Sequence, residues 1–377
     1  MRRLIPLLVL SLAACRPYPH PTLAIGSTAP DFALPGIDGR THTLSEYANA
    51  RVLAIVFTCN HCPASQLYES RLRKLDEDYR QKGLTLIAIN PDNPDSFQLS
   101  ELGYTDVADS LAGMKIRAAQ GHLAYPYLYD GDSQAAATAF GSVATPHIFV
   151  FDRSRTLRYQ GRIDDNLRES LVKVHDARDA IDALLAGRPV VAAQTRVVGC
   201  PVRWLSTPPE RNAKLTRIAA EPVTLEMAGP DVLKKLRANG TGKLLLVNFW
   251  ATWCGPCAAE FPDLVDTYRM YRRRNFEFVS VSENDPAEKA AVLEFLRKHH
   301  ASSSNLLFAT PDTYGLQAAF DPLMAAAVPF TLLIAPNGDV VYQELGALDI
   351  MRLRRAILAN LPEDARYVGH QAYWSGN

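Results

Sequence analysis

The stretch KLLLVNFWATWCGPCAAEFP, Lys243 to Pro262, decides the reading of this chain. Its first part, Lys243–Trp250, is a short, unbroken apolar run, as expected for a buried strand. Cys254 and Cys257 follow at once. Phe261, Leu264, Val265, Tyr268 and Tyr271 then recur at helical spacing, so a helix opens at the cysteines. A strand feeding a Cys-x-x-Cys at a helix N-terminus favours thiolate at the first sulfur, because free N–H groups and the helix dipole stabilise negative charge there. Two intervening residues bring the second thiol within reach of a disulfide. Such a pair can exchange with a substrate through a mixed disulfide.

The same outline stands earlier in the chain. Arg51–Thr58 is a buried-strand run, followed by Cys59-Asn60-His61-Cys62-Pro63 and then Tyr68, Leu72, Leu75 and Tyr79 at helical spacing. Leu84–Asn90 reads as a strand, Gln134–Phe140 as a helix, His147–Asp152 and Leu157–Gly161 as a hairpin, and Asp165–Leu185 as a closing helix. In the second half Phe276–Ser282 reads as a strand and Asp285–His299 as a helix. Phe330–Ala335 and Val340–Glu344 form a hairpin around Pro336-Asn337-Gly338-Asp339, and Ile350–Asn360 is the last helix. The two cysteine pairs are separated by 191 intervening residues, far beyond zinc-finger spacing, and the repeated outline reads as a duplicated domain. The expected fold class is α/β, two tandem folds each with a central mixed sheet flanked by helices.

The second motif resembles the thioredoxin signature. Asn248–Pro262 resembles the TlpA/ResA group of exported thiol reductases. That resemblance implies that Cys254 attacks, Cys257 resolves and Glu260 tunes the dithiol and passes protons. It also makes Pro329 the cis-proline beside the site, with Val328 before it offering backbone to substrate. The region from Ala29-Pro30-Asp31-Phe32 to Leu185 resembles the redoxin/peroxiredoxin-like (AhpC/TSA-type) branch. There Thr145 and Pro146 fill the cis-proline position, Cys59 is the nucleophile and Cys62 the resolver. The peroxiredoxin motif P-x-x-x-T-x-x-C is absent: counting back from Cys62 puts Cys59 at the Thr position and Ile55 at the Pro position. His61 beside Cys62 is expected to make the first dithiol the more oxidising, because a cationic His stabilises the reduced form.

Composition agrees with a globular chain of 377 residues: 47% hydrophobic, 21% charged, with 40 basic and 40 acidic residues. The absence of a basic excess argues against a nucleic-acid partner. Six cysteines are too few for a disulfide scaffold. Arg2 and Arg3 precede an apolar run, Leu4–Ala14, whose eleven residues would rise about 16 Å as a helix. That is short of the roughly 30 Å needed to span a bilayer. It reads as a secretory signal, and Leu12-Ala13-Ala14-Cys15 resembles the bacterial lipobox, which implies lipidation of Cys15 and a membrane tether. Arg16 in place of Asp slightly favours the outer membrane. Losing residues 1–14 leaves 38 basic against 40 acidic residues.

The expected division is a signal over 1–14, a Pro-rich tether over 15–27, domains over 28–186 and 221–363 joined by 187–220, and a tail over 364–377. The expected activity is thiol–disulfide exchange on protein cysteines outside the cytoplasm, fed by a membrane thiol donor. No organic cofactor and no metal are assigned, since no glycine-rich nucleotide motif is present. Two other classes stay open: a thiol peroxidase recycled by the second domain, and a copper-delivery module using Cys59, Cys62 and a distant His. Cys200 reads either as a buried small apolar residue or as a third redox thiol. Arg162-Ile163-Asp164-Asp165 reads as a solvated turn, and His122 and His147 as structural.

Overall fold

The computed structural model describes residues 20–97, 99–205, 208–323 and 327–361. The expected signal, Cys15 and the tail lie outside these residues. Among them no helix is long and apolar enough to cross a membrane.

Two mixed sheets organise the molecule. In the first, Val52–Phe57 lies at the centre, parallel to Leu84–Asn90 and antiparallel to His147–Phe151. Tyr127–Tyr129 and Leu157–Gly161 complete the five-stranded order at the two edges. Every residue of Val52–Phe57 is buried because both faces are covered, as expected for a central strand of this kind. Val52, Ala54 and Val56 pack with Tyr68, Leu72 and Leu75 of helix Pro63–Tyr79 and with Ile181 of helix Asp176–Leu185. Leu53, Ile55 and Phe57 pack on the other face with Phe140, Phe149 and Phe151. Each Val, Leu, Ile and Phe among them contributes about 1.5–3 kcal/mol by leaving water.

The second sheet has six strands. Leu244–Trp250 is parallel to Phe276–Ser282 and antiparallel to Phe330–Ile334. Ser304–Phe308 and Glu226–Ala228 extend one side, and Val340–Leu345 the other. Leu245, Val247 and Phe249 face one core, and Leu244 and Leu246 face another beneath helix Gly255–Tyr271.

Three stretches depart from the expectation. The closing helix of the first half starts at Asp176, not Asp165. Asp164, which stood in the expected solvated turn, is buried and accepts from Arg71 at 2.7 Å and His175 at 2.8 Å, drawing the preceding residues into a loop. The expected tether is not free over its last residues: Leu23 N–H donates to Phe140 O and Gly26 N–H to Leu157 O, and Leu23 packs on the first domain's core. The expected connector divides in two. Cys200–Pro201 pairs antiparallel with Ala144–Thr145 and Trp204 joins the first domain's core, whereas Pro208–Ala219 forms a helix.

The domains meet through residues 99–106. Leu99 and Leu102 pack into the core under Gly255–Tyr271. Tyr271 Oη donates to Thr105 O at 2.9 Å, Arg274 to Gly103 O at 2.9 Å, and Arg355 to Asp106 at 3.0 Å.

Candidate active sites

In the second domain Cys254 is the N-cap of helix Gly255–Tyr271, and the Cys257 N–H donates to its sulfur at 3.3 Å. Gly255 and Pro256 occupy the first helical positions, where a missing N–H costs nothing. Cys254 and Cys257 form a disulfide with Cα atoms 5.2 Å apart. Both are buried, against Trp250, Phe261 and Val328, while Trp253 beside them is 65% exposed. The Val328–Pro329 peptide is cis.

A polar chain links the strand before this dithiol to the helix that follows it. Asn248 donates to Thr331 Oγ1 at 3.0 Å and to Glu260 Oε1 at 3.5 Å. Glu260 Oε2 accepts from the Leu348 N–H at 3.0 Å. Burial raises the Glu260 pKa above the usual carboxylate value, against the pull of Leu348 and Asn248. Sequence reading missed Glu283, at the end of strand Phe276–Ser282. Burial pushes its pKa up to about 7, and both its oxygens accept from Gln317 Nε2. A lone acid after an apolar strand carries no signal of that kind.

The first domain differs in which cysteine caps the helix. Helix Pro63–Tyr79 begins one residue after Cys62, and Cys62 is its N-cap. The cause is local: Pro63 has its φ pre-set for the first helical position. The sheet register leads to the same place. Phe57 pairs with His147, next to cis-Pro146, as Phe249 pairs with Phe330, next to cis-Pro329. Counting from these phenylalanines, Cys62 matches Cys254, Cys59 matches Ala251 and Ser65 matches Cys257.

The expected Cys59–Cys62 pairing is therefore corrected. Cys62 is disulfide-bonded to Cys200, with Cα atoms 5.9 Å apart, and Cys59 is the free cysteine among the described residues. The Cys200–Pro201 strand delivers Cys200 beside Thr145, which explains why a thiol 138 residues away is the partner. Thr145 borders both sulfurs: its carbonyl oxygen lies 3.1 Å from Cys62 Sγ and its hydroxyl 3.1 Å from Cys59 Sγ.

Cys59 does not sit at a helix N-terminus, and burial pushes its thiol up to about 12. That reverses the lowered pKa expected of a first cysteine. His61 Nδ1 is 2.7 Å from Asp109 Oδ2. Burial opposes charge on His61, but Cys59 and Asp109 outweigh it and hold its pKa well above the usual value. Asp109 Oδ1 also accepts from the Asn60 N–H at 2.6 Å and from Asn90 at 3.1 Å. Asp92 adds a third buried group: potential ligand atoms of Cys59, His61 and Asp92 lie within 4.8 Å of one another. Burial lifts the Asp92 pKa to about 6. His147, read as structural, is buried and bonded to Gln160 at 2.8 Å.

Residues 25–160 match the AhpC/TSA family, and residues 219–357 match the Redoxin family. The chain is a tandem of two thioredoxin-like domains. The relative named Thiol-disulfide oxidoreductase ResA from Oceanobacillus iheyensis is 34% identical over 112 residues, 30% of the tandem and 54% of its own length. The ResA of Bacillus subtilis is 32% identical over 107 residues, 28% of the tandem and 55% of its own length. The tandem thus spans about half the length of the curated relatives it matches. The crystal structure of hypothetical protein SMc02350 from Sinorhizobium meliloti 1021 is 33% identical, covering 50% of the tandem and 98% of that chain, with a TM-score of 0.44.

Proposed function

We propose that the chain is an exported thiol–disulfide oxidoreductase acting on protein cysteines through two unlike dithiols. The observation that carries this reading is the Cys254–Cys257 disulfide, with Cys254 capping its helix beside cis-Pro329. In the reducing direction the Cys254 thiolate attacks a substrate disulfide and releases one substrate thiolate. Cys257 then attacks the Cys254 sulfur, releases the second substrate thiolate and closes the intramolecular disulfide. Glu260, half-buried on the same helix, takes up and returns the proton of the resolving thiol. Val328, before cis-Pro329, offers backbone to an extended substrate segment, whereas the place expected for substrate beside Thr145 is taken by the chain's own Cys200–Pro201 strand.

In the first domain Cys62 takes the exchanging role, since it stands at the position of Cys254, and Cys200 is its resolving partner. Lipidation at Cys15 would hold the protein on the periplasmic side of a bacterial membrane. A membrane thiol donor would reduce the dithiols.

Insulin reduction and peroxide turnover by single-dithiol variants test the reading. Cys254→Ser should lower insulin reduction at least about 100-fold, since a thiolate nucleophile has no substitute in exchange. Unchanged insulin reduction in Cys254→Ser would overturn the proposal. Peroxide-driven oxidation of Cys62 faster than that of a free thiol would assign the first domain to peroxide reduction instead.

A further inference from the structure

We infer that Cys59, His61 and Asp92 form a binding site for a divalent, borderline-soft metal ion of the zinc class. This site adjoins the Cys62–Cys200 pair but does not depend on the exchange chemistry proposed above. The three residues come from two loops that follow neighbouring parallel strands, Val52–Phe57 and Leu84–Asn90. All three are buried, Asp92 completely.

The hydrogen bonding leaves each residue a ligand atom facing the cluster. His61 Nδ1 is committed to Asp109 at 2.7 Å, which leaves Nε2 as the metal-binding nitrogen. A carboxylate on the far nitrogen is the arrangement that orients metal-bound histidines and raises their basicity. Asp109 is in turn fixed by the Asn60 N–H and the Asn90 amide. Asp92 Oδ1 accepts from the Arg203 N–H at 2.8 Å. Asp92 Oδ2 is buried and meets no N–H or hydroxyl donor among the described residues; the Cys59 thiol, a weak donor, is the group it faces. A buried carboxylate oxygen met by a weak S–H donor alone costs free energy that a cation between the two would offset. Cys59 Sγ contacts the Thr145 hydroxyl at 3.1 Å, and that hydroxyl can donate to a metal-bound sulfur.

The donor set selects the ion. Thiolate sulfur with imidazole nitrogen excludes magnesium and calcium, which take oxygen ligands. The carboxylate disfavours copper(I), which soft sulfur donors select. Zinc accepts sulfur, nitrogen and carboxylate oxygen together, and three protein ligands leave a fourth position for water. Binding displaces the proton of the Cys59 thiol and the proton on His61 Nε2, since a coordinating thiol is deprotonated. With Cys59 and Asp92 both anionic and His61 neutral, the divalent ion balances the charge of its three ligands.

Zinc(II) binding by the full chain, with Cys254 and Cys257 both changed to serine, tests the inference. The expected result is one bound equivalent. Cys59→Ser should abolish it, and Asp92→Asn and Asp109→Asn should each weaken it at least about tenfold, the usual effect of losing a ligand or its support. Cobalt(II) in place of zinc should show thiolate charge-transfer absorption that Cys59→Ser removes. Cys59→Ser changes one atom and keeps every backbone contact, so the test survives even if Asp92→Asn weakens folding. No stoichiometric zinc, or zinc held with unchanged affinity by Cys59→Ser, would overturn the inference.

Discussion

Single residues decide how each site titrates and which sulfurs meet. Cys200 reaches Cys62 only because the chain returns as a strand beside Thr145. In Cys200→Ser, peptide mapping of the air-oxidised protein should find Cys62 joined to Cys59, and the first domain should lose about 2–5 kcal/mol of stability with its long-range bridge. Finding Cys62 as a free thiol in that variant would count against this. Glu283 carries a pH signature. Its folded-state pKa of about 7 stands above the ordinary 4.5, so between those values the folded protein holds a proton that the unfolded chain releases. Stability therefore falls as pH rises through that window, by at most about 3 kcal/mol. Glu283→Gln should flatten this part of the stability profile in chemical denaturation, and an unchanged slope would show that Glu283 is not its source.

At the scale of elements, the start of a helix decides which cysteine caps it. Pro63 places the start one residue after Cys62, and Gly255-Pro256 place it one residue after Cys254. Ser65 then stands where Cys257 stands, buried, with its hydroxyl unpaired among the described residues. Ser65→Cys should let Cys62 form a disulfide with the introduced thiol in competition with Cys200, detectable by mass spectrometry; exclusive Cys62–Cys200 bonding would argue against the register. Much at this scale was legible beforehand. The runs Val52–Phe57, Leu84–Asn90 and Leu244–Trp250 are apolar and bounded, and the WCGPC context names its own strand and helix. The first-half cysteines were harder to read, because two cysteines at the familiar spacing suggest each other as partners. Counting from the strand end to Pro63 was the available correction. Cys200, Asp92 and Asp109 carry no local pattern. They gain meaning from pairings across the fold, as does Asp164, whose partner Arg71 lies on a helix far back in the chain.

Across the whole molecule the two domains share a seam built from residues 99–106. Tyr271 Oη, Arg274 and Arg355 are its polar anchors on the second domain. Tyr271→Phe leaves the Thr105 carbonyl unpaired, which costs about 1–3 kcal/mol. Combined with Arg355→Ala, it should split a single calorimetric unfolding transition into two. A transition that stays single and merely shifts would mean that Arg274 together with the apolar Leu99 and Leu102 is sufficient.

The helix that reaches this seam is also the one that carries the second dithiol. Tyr271 is its last residue and Cys254 caps its first turn. Its 17 residues span about 25 Å at 1.5 Å each, close to the width of a small domain. The helix is thus a strut, with its foot planted on the neighbouring domain and its working sulfur held at the far tip. Trp253, 65% exposed beside the capping sulfur, marks the surface end of the strut, remote from the seam at its foot.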